Sequence, residues 1–182
     1  MPNKSEEKLR LLESCQKSHR YSGRYPYHSD IVPPENRLAV AWTIAAEGTI
    51  SISSPKKGVP KLRVSNTEKD FVLRFHELVA GAGGVFDGHK NRPGRKDDYF
   101  WQLRSIPGVY KVLTEIIDFL PIKRQVALAV MEFCESRMSH FGFPLSQLEK
   151  DLIYQVRVLN ERRHRKDGAE DQREAKALSA II

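Results

Sequence analysis

Val40-Ala41-Trp42-Thr43-Ile44-Ala45-Ala46-Glu47-Gly48 runs directly into Thr49-Ile50-Ser51-Ile52-Ser53, and the fold turns on this junction. The first part belongs to an alanine-rich apolar stretch, Glu35 to Ala46, that reads as a helix. Gly48 ends it. The second part alternates polar and apolar residues, the pattern of a half-buried strand. A carboxylate, Glu47, therefore sits where helix gives way to strand. That is the unfavourable end of the helix dipole for an acid, and its placement is easier to explain if a cation sits beside it.

Outward from the junction the chain reads in short pieces. Ser54 to Pro60 is a loop, with Gly58 between two prolines. Lys61-Leu62-Arg63-Val64-Ser65 alternates again, as the return strand of a hairpin. Thr67 to Val79 reads as a helix with Phe71, Phe75, Leu78 and Val79 on one side, broken by Gly81, Gly83 and Gly84. A second hairpin follows: strand Val85 to Lys90, a basic turn Asn91 to Asp98, and strand Tyr99 to Arg104. Val109 to Phe119 is a helix. Pro121 interrupts it, and Lys123 to Arg137 starts another. Ser146 to Arg163 closes the run, with Leu148, Leu152, Val156 and Leu159 along one face. The plan is α+β: a four-stranded antiparallel sheet with helices on one face.

One face of that sheet is expected to carry Thr49, Ser51, Ser53, Lys61, Arg63, Ser65, Gln102 and Arg104, opposite Leu62, Val64, Trp101 and Leu103. Such a surface suits a major groove, where Arg, Gln and Ser meet base edges. Lys56, Lys57, Arg92, Arg95 and Lys96 fall on the hairpin tips, where they would meet phosphates; Lys90 falls on a strand. A solvated sheet face is the commoner fate of such residues. The net charge of +7 nevertheless points to a polyanionic partner.

The remainder bounds the possibilities. The 182 residues suit one domain with terminal extensions. Residues 1–33 read as a charged helix, Ser5 to Gln16, and an irregular arm in which Tyr21, Tyr25 and Tyr27 interleave with Arg20, Arg24 and His28. That arm could follow a phosphate backbone or pack on the body. The domain itself spans 34–165 and a tail spans 166–182. The two cysteines form no metal or disulfide pattern. No apolar run is long enough for a membrane span, and the amino terminus lacks a signal-peptide core. A soluble, intracellular protein is expected, cytoplasmic or organellar.

With these pieces in place, the nonamer Val40 to Gly48 resembles the LAGLIDADG motif of the homing endonucleases. Ala41, Ile44, Ala46 and Gly48 fit, and Glu47 replaces the last Asp. Trp42 stands where the family usually has Gly, and Ala45 where it usually has an acid. The surroundings extend the resemblance over about Pro34 to Arg163: Val64 to Thr67, Tyr99 to Leu103, Phe119 to Ala127 and Val156 to Asn160, in the order αββαββα.

The resemblance implies a saddle-like sheet and a site-specific double-strand DNA endonuclease of the intron-encoded kind, using Mg²⁺ or Mn²⁺. By the same resemblance Glu47 and the Ala46 carbonyl bind the metal, Lys123 is the active-site lysine and Asn66 orients water. With one motif per chain, it also implies a homodimer that pairs two motif helices and reads a pseudo-palindromic site. Leu38, Ala41, Trp42 and Ala45 are the expected interface, the two alanines giving the small residues a close helix crossing needs. The alternative is an inactive relative that binds nucleic acid, an RNA maturase or a transcription regulator. Glu47, Lys123 and Asn66 together favour the nuclease; Ala45 argues mildly for the alternative.

Overall fold

The computed structural model describes residues 30–53, 58–88, 97–140 and 142–161. A 3₁₀ turn, Pro34–Asn36, leads into α1, Arg37–Glu47. Strands β1, Gly48–Ser53, and β2, Val59–Asn66, form the first hairpin, and α2, Lys69–Leu78, follows. Strands β3, Gly84–Asp87, and β4, Tyr99–Leu103, form the second. Then come α3, Ile106–Ile116, a 3₁₀ turn at Ile117–Phe119, α4, Arg124–Ser139, and a last helix, α5, over 147–161.

The four strands make one antiparallel sheet in the order β1-β2-β4-β3. Register fixes its two faces, because side chains alternate along each strand. Ile50, Leu62, Val64, Trp101 and Leu103 turn inward and are buried with the apolar sides of the helices. The Trp101 indole is the anchor: its Nε1 donates to the Ala82 carbonyl at 2.6 Å and Phe75 meets it edge-on at 4.9 Å. Gly83 lies at φ +82°, where a Cβ would come within 2.8 Å of that indole, so the turn admits only glycine without rearrangement.

Two buried carboxylates tie down the periphery. Glu115 of α3 accepts the backbone N–H groups of Ile31 and Val32 at 3.2 and 2.7 Å and pairs with Lys111 at 2.9 Å. The packed body thus begins before Pro34, the expected domain start. Glu149 is fully buried. It accepts from Ser146 N at 2.8 Å while its own N–H donates to Ser146 Oγ at 3.2 Å, a reciprocal capping box at the start of α5. Arg137 faces the same carboxylate at 3.3 Å. At the far end of α5, Asn160 Nδ2 donates to the Ile50 carbonyl at 3.1 Å, so the helix covers β1, an edge strand.

Several expected details shift. The first helix starts at Arg37, since Glu35 lies in the 3₁₀ turn. In α2 Val72 and Phe75 are buried, as is Val79 just beyond its end, while Phe71 is exposed. In α5 Leu148 is exposed, and the capping carboxylate of Glu149 takes the inward position beside Leu152, Ile153 and Val156. The helix before Pro121 begins at Ile106 and tightens into 3₁₀ geometry at its end. The segment Ser5 to Gln16, the aromatic arm through residue 29, and the tail lie outside the described residues. No described helix is long and apolar enough to cross a membrane.

Candidate nucleic-acid interface

At the junction, α1 delivers Glu47 to the surface and the chain turns at once into β1. Gly48 has ordinary extended backbone, φ −91° and ψ 160°, so a left-handed cap is not its reason. The reason is a close approach: a Cβ there would lie 2.6 Å from the Ile44 carbonyl oxygen. The Glu47 carboxylate is exposed and, among the described residues, has no hydrogen-bond or ion-pair partner. It borders a hollow lined by Glu47, Ser65, Asn66, Thr67 and Asp98.

Lys123 reaches the same helix end from a different part of the chain. Its Nζ donates to the carbonyls of Ile44, at 2.8 Å, and of Gly48. A cation there complements the negative end of α1. Lys123 itself is held in left-handed backbone, φ 68°, at the start of α4. The structure thus brings Glu47, Ala46, Asn66 and Lys123 to one end of α1. Asn66 has a local task as well: its Oδ1 accepts the Glu68 N–H at 2.9 Å, shaping the entry to α2.

The open sheet face carries the expected polar set. Thr49 is opposite Arg63, Ser51 opposite Lys61, and Arg63 opposite Gln102. Thr49 and Arg104 are exposed; Ser53, Lys61, Arg63, Ser65 and Gln102 are half-buried. Ser51 departs from expectation, since its hydroxyl is buried and has no hydrogen-bond partner among the described residues. Burial, with Arg63 and Arg104 close by, lowers the pKa of Lys61 from its ordinary value. Like charges crowd on this face, and a polyanion would relieve them. Lys56, Lys57, Lys90, Arg92, Arg95 and Lys96 lie outside the described residues.

The expected interface needs correction. Ala41 and Ala45 are 0% and 2% exposed inside the single chain, so they pack against its own core. Trp42 is 56% exposed, beside Leu38 at 55%, so of the four expected residues these two face outward. Ala39 and Ala46 are the small residues on the outward stripe. The Ile117–Phe119 turn touches α1, and Phe119 and Ile122 are likewise exposed.

Sequence reading also missed three residues of the open face and its rim. Phe100 is opposite Ser65 and Phe86 is opposite Phe100, so both rings share the face of Arg63. Asp98 lies 3.7 Å from Arg63. The signal was present in the parity of β4, where Phe100 has the phase of Gln102.

The fold is that of known DNA-bound proteins. The homing endonuclease I-CvuI, in complex with its target in the presence of Ca, superposes with a TM-score of 0.55 at 19% identity, over 69% of this chain and 83% of that one. A mutant of I-SmaMI, a LAGLIDADG homing endonuclease, gives 0.52 at 16% identity. There the match covers 66% of this chain and 43% of that one, under half its length. No family model matches the sequence, and no curated protein matches it.

Proposed function

We propose, for a chain that has the fold of the LAGLIDADG homing endonucleases, that it is itself a metal-dependent, site-specific DNA endonuclease acting as a homodimer. The observation that carries this reading is the end of α1. A carboxylate without a partner among the described residues, Glu47, and an ammonium group, Lys123, both lie at that helix end, beside a basic sheet face.

The donor set fits a hard divalent cation. Such ions take carboxylate and carbonyl oxygens, and Glu47 and the Ala46 carbonyl would hold Mg²⁺ or Mn²⁺. No group of three or more acidic, His or Cys side chains gathers among the described residues. Glu47 would supply half of such a site, and Glu47 of a second copy the other half. When bound, the cation would activate water and neutralise charge developing on the phosphate. Lys123, whose ammonium group lies at the Ile44 and Gly48 carbonyls, would stabilise the charge that develops on the phosphate. Asn66 would orient water through the amide nitrogen that its turn leaves unused.

Pairing of two copies would run through the outward stripe of α1. Leu38 and Trp42 are exposed apolar residues one turn apart, and the turn that ends in exposed Phe119 touches the same helix, an apolar surface of the kind that marks an interface. The open face then reads base edges with Thr49, Ser53, Lys61, Arg63, Ser65, Gln102 and Arg104, while the hairpin-tip cations meet phosphates.

The test is cleavage of a randomised duplex library in Mg²⁺, followed by sequencing of the cut ends. Wild type is expected to yield one pseudo-palindromic site. Glu47→Gln should bind that site with affinity within about twofold of wild type while cleavage falls at least about 100-fold. Cleavage by Glu47→Gln at the wild-type rate would sink the metal-ligand assignment. Tight binding by wild type with no cut ends would favour the inactive nucleic-acid-binding relative instead.

A further inference from the structure

We infer that Phe86 and Phe100 form an apolar subsite on the open sheet face that takes the methyl edge of a thymine or another 5-methylpyrimidine. This rests on the DNA-reading role proposed above and adds a ligand chemistry to it.

The two rings lie on neighbouring strands in register, centroids 5.4 Å apart and planes 23° from parallel. This is an offset stack. Phe86 is 47% exposed, while the next residues in the same strands, Val85 and Trp101, supply the inward contacts. The stack is therefore not spare core. Gly84 makes room for it: a Cβ there would lie 3.0 Å from the Phe86 ring. The Arg63 guanidinium carbon sits 3.8 Å from the centroid of the Phe100 ring. Arg63 Nε also donates to Ser65 Oγ at 2.9 Å, and its NH2 faces Asp98. The guanidinium is thus fixed by an aromatic plane, a hydroxyl and a carboxylate.

Charge decides which partner this patch fits. It is bordered by Arg63, with Lys61 and Arg104 crowded beside it. Cores of protein–protein interfaces are depleted of charge, whereas a duplex brings phosphates to neutralise it. In the major groove the apolar feature on a base edge is the C5 methyl of thymine. Phe86 supplies the apolar surface for it, and Arg63 a fixed donor beside it.

The experiment uses the full chain and its selected site, with binding read by anisotropy without divalent metal. Each thymine is replaced singly by deoxyuridine, which removes only the methyl. Wild type should lose about three- to fivefold in affinity at one thymine per half-site, the effect of one buried methyl. Phe86→Ala should lose that penalty. So should Gly84→Ala, which displaces the ring without a change of backbone region. Phe86→Leu should keep most of it. The wild-type penalty persisting in Phe86→Ala, no penalty at any thymine, or a preferred site without thymine would each overturn the subsite and leave the endonuclease reading standing. No binding to any duplex would overturn both.

Discussion

Lys123 combines a strained backbone with a side chain that spans two packing units. A non-glycine residue in the left-handed region costs about 1–3 kcal/mol, and here that conformation accompanies an ammonium group placed on the end of α1. Lys123→Met keeps the Cβ, and so the strain, but removes the charge. Loss of the carbonyl contacts should destabilise the fold by about 1–2 kcal/mol. Single-turnover cleavage should fall about 100-fold or more. Urea denaturation and quenched-flow kinetics read the two separately. A cleavage rate unchanged from wild type would remove Lys123 from the site. Cys134 shows the opposite case. Burial, with Glu135 nearby, pushes its thiol far above the ordinary range, and it does packing only.

At the scale of elements, the join between α1 and β1 is the least forgiving. Gly48→Ala adds one methyl against a backbone oxygen at 2.6 Å, an atom that cannot swing away. The expected cost is about 1–3 kcal/mol, read as a lower urea midpoint, with cleavage falling as Glu47 is displaced. A midpoint equal to wild type would show that the close approach does not constrain the chain. This junction was legible because a helix pattern and a strand pattern meet there without a linker. The phase of α1 was not legible. Its sequence is apolar on several sides, so periodicity could not say whether Ala41 and Ala45 or Leu38 and Trp42 face outward. In β4 the run Tyr99-Phe100-Trp101 hid the alternation, and Phe100 escaped notice while Gln102 did not. The α5 capping box put a carboxylate where a simple apolar stripe placed Leu148.

For the molecule as a whole, the proposed assembly depends on the outward stripe of α1. Trp42→Glu puts a charge at an exposed position, so the single chain should keep its unfolding midpoint within about 0.5 kcal/mol. The dimer should dissociate at least about 30-fold more readily, since truncated central aromatics in interfaces cost about 2 kcal/mol or more. Light scattering over a concentration series measures this. A wild-type mass equal to the monomer under conditions of cleavage would refute the dimer. Ala45→Arg is not a useful probe, because that position lies in the chain's own core and the change would unfold it.

The clasp between Glu115 and the Ile31–Val32 backbone bears on where the chain can be shortened. Trimming to Pro34 would leave a buried carboxylate stripped of two amide donors and facing only Lys111. A stripped buried acceptor costs about 1–3 kcal/mol, so a shortened protein should begin no later than Asp30. A protease offered the intact chain should be shielded from Ile31 and Val32 by the same two hydrogen bonds. Cleavage at either residue therefore gauges how often this clasp opens.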